Sequence, residues 1–201
     1  MVTLVASLGG LAAITEVLRG LPEDFPARIL ITQHGRRDGH PGRLPRLLQT
    51  VTALPVDIAT TGSRLTGGPG VMVVPNGHAA TVNPDRNLTL TDINRQRCAD
   101  VLLTSLAPVF RSAAIAVVLT GMLDDGAQGV RAVKRNGGRV LVQEPATARA
   151  AGMPSAALAT GCVDFALPLD RIPHALVTFV MAPGGAEVFT VPTPAWVRLE
   201  A

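Results

Sequence analysis

Three apolar runs in this chain end on polar residues of the kinds that carry nucleophilic chemistry. Residues 2–6, VTLVA, stop at Ser7. Residues 27–33, ARILITQ, stop at His34, and residues 114–120, AIAVVLT, run into Asp124 and Asp125. Each run has the length and apolar character of a buried strand. Ligands of open α/β sheets bind beyond the carboxyl ends of the strands, so the three ends would deliver serine, histidine and carboxylate to one edge. A serine hydroxyl is a poor nucleophile until an imidazole takes its proton. A carboxylate on the far ring nitrogen fixes the imidazole tautomer and stabilises the imidazolium. Ser7 also precedes Leu8, Gly9 and Gly10, where helical spacing begins, and backbone N–H groups at such a turn can face a developing oxyanion. A plainer reading stands beside this one. Serine before glycines is a common helix cap, and Asp124 or Asp125 before Gly126 can cap the next helix. The order Ser, His, Asp is not that of α/β-hydrolases, chymotrypsin-like or subtilisin-like enzymes.

The elements that would hold these residues alternate. Helical spacing follows the first strand over residues 9–19, with Leu11, Ile14, Val17 and Leu18 on one stripe. Short helices are predicted at 43–51, 99–111, 126–136, 154–160 and 170–181, and further strands at 55–59, 139–143 and 163–167. The pattern predicts an α/β fold, a doubly wound and mainly parallel sheet. Residues 60–92 differ, with the short pieces VMVVP, HAATV and LTLT separated by Gly-Pro, Asn-Gly and Asn-Pro pairs. They predict antiparallel strands, with a hairpin at one edge of the sheet. The domain is expected over residues 1–182. The Pro- and Gly-rich stretch 183–201 reads as a tail that Trp196 would pin.

Composition narrows the function. The chain has 201 residues, 47% hydrophobic and 16% charged, enough for one domain with a large core. Five Phe, one Trp and no Tyr leave few rings for stacking bases, and a net charge of +3 without a dense basic run gives no nucleic-acid footprint. No apolar stretch spans a bilayer. Cys98 and Cys162 show neither metal spacing nor a disulfide framework, so a reduced, cytoplasmic setting is expected. His34, His40, His78 and Asp124 match no standard metal signature. Cys98 heads a predicted helix with no obvious base partner. No metal or other cofactor is expected. SLGG lacks both the dinucleotide fingerprint and the P-loop lysine.

Several stretches together resemble one family. ASLGG at 6–10, ITQH at 31–34, VPNGH at 74–78, DVLLTSLA at 100–107, LTGMLDDGAQG at 119–129 and GMPSAA at 152–157 look like the catalytic domain of the chemotaxis-receptor protein-glutamate methylesterases (CheB type). The resemblance runs in order from about residue 2 to 180. It implies hydrolysis of glutamate methyl esters on the cytoplasmic helices of methyl-accepting chemotaxis receptors, and in some members glutamine deamidation. By motif, Ser7 falls on the nucleophile, His34 on the general base and Asp125, not Asp124, on the acid. Leu8 and Met122 fall where backbone N–H groups form the oxyanion hole. The departures are Val5 and Leu8 around the serine, RQRCAD at 95–100 where only Asp100 matches in register, and Pro145 in QEP. Many family members carry an N-terminal receiver domain, whereas this chain begins at the catalytic strand. Arg36, Arg37, Arg43 and Arg46 follow His34 closely and could rim the site and steer acidic helices, although a solvated charged face is the commoner role of such a cluster. A different class of reading is a catalytically inactive module that keeps the fold and docks a signalling partner.

Overall fold

The computed structural model describes residues 1–35, 42–92 and 97–182. Strand β1 (Val2–Ala6) is buried along its whole length, so both of its faces need cover. Successive side chains alternate between the faces. Val2, Leu4 and Ala6 pack with Ile14, Val17 and Leu18 of α1 (Gly10–Arg19) and Leu176 of α6 (Ile172–Met181). Val5 packs on the other side with Leu102, Leu103 and Leu106 of α3 (Cys98–Phe110) and Val130 and Val133 of α4 (Ala127–Arg135). The apolar stripe read over 9–19 is thus the buried side of α1, apart from Leu11, which is 38% exposed.

β1 lies in the middle of a seven-stranded sheet whose neighbours all run parallel. On one side stand β2 (Arg28–Gln33), β4 (Gly70–Val73) and β3 (Val56–Ile58). On the other stand β7 (Ile115–Val118), β8 (Arg139–Gln143) and β9 (Phe165–Leu167). Strand order therefore reverses between β1 and β7, and in folds of this kind ligands bind beyond the carboxyl edge at such a point. The doubly wound parallel sheet is the predicted one. Helix α2 (Arg43–Gln49) precedes the edge strand β3, and α5 (Gly152–Ala159) lies between β8 and β9. No described helix is long and apolar enough to cross a membrane.

The segment 60–92 departs from expectation. VMV is not a hairpin arm: β4 enters the main sheet in parallel, because all four of its residues are buried. The antiparallel pair is β5 (His78–Val82) with β6 (Leu88–Asp92), and it forms a separate two-stranded sheet, not an extension of the large sheet's edge. Ala80, Val82 and Leu88 place its apolar side in the core with α3. The Asn76-Gly77 pair, with Gly77 at φ 82°, turns the chain from β4 into β5 and does not close the hairpin. The expected tail with Trp196, as well as Arg36, Arg37, His40, Arg95 and Gln96, lies outside the described residues.

One buried charge pair ties the second half together. Lys134 of α4 donates to Asp164, and both side chains are at most 3% exposed. Asp164 also accepts the β8 N–H of Val140 at 2.7 Å. Removing one partner of a buried pair strands the other charge in the core. Lys134→Met is therefore expected to lower unfolding free energy by about 3 kcal/mol, measured by urea denaturation.

Candidate active site

Ser7 follows β1 at the reversal point. Its N–H donates to Thr120 O at 3.0 Å, and its carbonyl accepts the Gly10 N–H at 2.9 Å. That turn needs Gly9, whose φ of 83° is costly for a residue with a side chain. Thr120 holds the turn from the neighbouring strand end. Its hydroxyl donates to Leu8 O at 2.9 Å and accepts the Ala150 N–H at 2.9 Å. Its own N–H donates to the Gln143 carboxamide at 3.0 Å. Leu8 is left 46% exposed at the rim. Among the described residues, the N–H groups of Leu8 and Met122 have no acceptor.

His34 directly follows β2, as Ser7 directly follows its neighbour β1. Ala6 pairs with Gln33, and the His34 N–H donates to Ala6 O at 2.8 Å. The next residue of each chain segment is then Ser7 on one side and His34 on the other, so both stand at neighbouring strand ends. The imidazole is exposed, and a ring nitrogen lies within 4.8 Å of both the Asp125 carboxylate and the Cys98 sulfur.

Asp125 is held by a helix. One carboxylate oxygen accepts the Asp100 N–H and the other the Ala99 N–H, each at 3.0 Å. These are unsatisfied first-turn donors of α3, at the positive end of its dipole. Asp100 returns the arrangement. It is 4% exposed and accepts the Gly129 N–H of α4 at 2.8 Å and the Arg97 guanidinium at 3.1 Å. Asp124 points away and pairs with Arg97 at the surface. Two carboxylates read as alternatives thus have distinct tasks. The plainer capping reading also holds in part: Asp125 does cap a helix, but α3 and not α4.

The loop after β7 carries Met122, 58% exposed, and Leu123, 78% exposed with φ 62°, a strained value for leucine. It rests on Gly152, where an added Cβ would stand 2.6 Å from Leu123 N. This contact explains the glycine of GMPSAA.

Sequence reasoning missed Cys98. The residue is 3% exposed, and its thiol lies 3.7 Å from Asp125 Oδ2. It therefore has the partners that spacing did not reveal. Burial, reinforced by the Asp125 charge, pushes the thiol up to about 11, so this sulfur stays protonated at neutral pH. His78 sits apart and pairs with Asp92 at 3.2 Å.

A parallel α/β domain with a serine at its switch point, a histidine at the end of the adjacent strand and a helix-anchored carboxylate defines a class of protein. The chain belongs to a named family within it: the model for CheB methylesterase matches residues 2–176. A protein-glutamate methylesterase/protein-glutamine glutaminase of Anaeromyxobacter dehalogenans is 40% identical over 187 residues, covering 88% of this chain and 52% of that protein. The protein-glutamate methylesterase FrzG of Myxococcus xanthus is 38% identical over 184 residues, covering 90% and 54%. The CheB methylesterase catalytic domain of Thermotoga maritima superposes with a TM-score of 0.80 at 29% identity, covering 89% of this chain and 97% of that one. The chain spans about half the length of the curated relatives it matches.

Burial raises the Asp100 carboxyl above its ordinary value of 3.8, against the pull of the Gly129 N–H. In the interval just above 3.8 the native state therefore holds this proton and the unfolded state does not. The unfolding free energy of the wild type, minus that of Asp100→Asn, is expected to fall as pH rises through that interval and to level off above it. Urea melts of both proteins across mildly acidic pH check the sign.

Proposed function

We propose that the chain is a cytoplasmic serine esterase that removes methyl groups from glutamate methyl esters on chemoreceptor helices. The observation that carries this reading is that Ser7 and His34 each stand one residue past the paired Ala6 and Gln33, with Asp125 within 4.8 Å of an imidazole nitrogen. The family membership and the names of the relatives favour an enzyme over an inactive docking module.

In this reading Ser7 Oγ attacks the ester carbonyl while His34 takes its proton. Asp125 holds the imidazole tautomer and balances the imidazolium. The Leu8 and Met122 N–H groups donate to the oxyanion. His34 returns the proton to the leaving methoxide, and methanol departs. Water, deprotonated by His34, then hydrolyses the acyl-enzyme and leaves a glutamate carboxylate. The same steps applied to a glutamine amide release ammonia.

A groove of about 710 Å³ runs beside the site along Leu11, Gln33, Arg43, Arg46 and Leu47. Its apolar floor and two arginines suit an amphipathic, acidic helix. Leu8, Met122 and Leu123 are exposed in the loops that follow β1 and β7.

Methanol release from methyl-esterified receptor membranes tests the reaction. Ser7→Ala and His34→Ala are each expected to lower kcat by about 10³-fold or more, with unchanged thermal stability, and Asp125→Asn by a similar order. Full activity in Ser7→Ala would sink the assignment. Arg43→Glu with Arg46→Glu should raise KM for receptor several-fold and leave kcat nearly unchanged, if the groove steers the helix. A fall in kcat alone would place the substrate elsewhere.

A further inference from the structure

Three side chains of metal-ligating type converge from separate elements. His34 ends β2, Cys98 opens α3, and Asp125 follows β7. One donor atom from each lies within 4.8 Å of the other two. The Cys98 sulfur is 3.7 Å from Asp125 Oδ2. A sulfur and an oxygen bound tetrahedrally to one zinc ion, at roughly 2.3 and 2.0 Å, stand about 3.5 Å apart. This pair is thus already close to the spacing of two ligands on one ion. Both are fixed: the thiol is buried, and two α3 N–H groups hold the carboxylate. The third ligand is adaptable, because His34 is exposed and its ring can turn inward.

The donor set selects the ion. Magnesium and calcium take oxygen ligands, whereas thiolate, imidazole and carboxylate together suit zinc. Thiolate and carboxylate would also supply two negative charges against its two positive ones. The N–H bonds behind Asp125 orient that ligand, as hydrogen bonds behind metal ligands generally do.

We propose that His34, Cys98 and Asp125 form a zinc-binding site whose occupancy shuts off the esterase. On binding, the Cys98 thiol releases its proton to solvent and the sulfur becomes a ligand. A neutral His34 nitrogen gives the ion the lone pair that would otherwise take the Ser7 proton. Asp125 turns a lone pair from the imidazole to the ion, and water fills the fourth position. The cation is an inhibitor here, not a cofactor. Shut-off rests on the proposed role of His34 as base, whereas binding of the ion does not.

The test uses the metal-free full chain and two readouts. Zinc affinity is measured by competition with a chromophoric chelator, and cadmium is titrated to detect sulfur-to-metal charge-transfer absorption. Wild type and Cys162→Ser should bind one equivalent of zinc and show the cadmium band. Cys98→Ser should lose the band, and both it and His34→Ala should bind zinc at least about tenfold more weakly. Ester hydrolysis, referred to each protein's own metal-free rate, should need at least about tenfold more zinc for inhibition in Cys98→Ser. Equal zinc affinity in wild type, Cys98→Ser and His34→Ala would overturn the site, as would a band that survives in Cys98→Ser. Equal inhibition of wild type and Cys98→Ser would overturn the shut-off. Binding by a chain that hydrolyses no ester when metal-free would keep the site and defeat the esterase reading.

Discussion

The arrangement depends on two carboxylates exchanged between two helices. Asp125, at the foot of α4, accepts the first-turn N–H groups of α3, and Asp100, in the first turn of α3, accepts an N–H of α4. Each helix start leaves donors that must find acceptors. Meeting them across the pair locks the two N-termini against each other. It also suits the proposed chemistry. An acid beside a histidine is useful only where it cannot swing away, and a carboxylate with an N–H on each oxygen has little freedom to do so. Arg97, reaching both Asp100 and Asp124, closes the loop from outside.

Serine placement follows a different logic, backbone register. Ser7 is fixed by the ladder on both sides, through Thr120 O and through the pairing of Ala6 with Gln33. Thr120 is the hinge of this half. Its hydroxyl joins Leu8 O to the Ala150 N–H, so the turn after Ser7 and the loop before α5 are held by one side chain. Gln143 anchors Thr120 in turn from the next strand. Ser7 and Asp125 thus hang on separate supports, one a parallel sheet edge and the other a helix pair, which meet at β7.

Much of this was legible in the sequence where one strand end determines one residue. Ser7 and His34 could be read because apolar runs stop on them, and parallel strands make those stops coincide. The acid was harder. Spacing alone left Asp124 and Asp125 open, and only the motif separated them. Its physical basis is the α3 N-terminus, which comes from more than 20 residues upstream in the chain and has no local signal. Cys98 was unreadable for the same reason. The hairpin was misplaced because Asn76-Gly77 looks like a hairpin turn, whereas the burial of β4 on both faces depends on which strands flank it.

His34 occupies the boundary between two unlike surroundings. Gln33, one residue before it, faces the groove with Leu11, Arg43 and Arg46, on the side covered by α1 and α2. His34 itself turns toward the α3 side, where Asp125 and Cys98 lie. Alternation along β2 forces this split, since successive side chains must leave opposite faces. The groove and Asp125 therefore sit on opposite faces of one strand end. An exposed imidazole between them can serve both. The same exposure lets its ring approach whatever else the α3 face offers, and that face offers a thiol beside a carboxylate. A base held more deeply on the acid side would be shielded from such competition, but it would also be withdrawn from a serine that stands at the open edge.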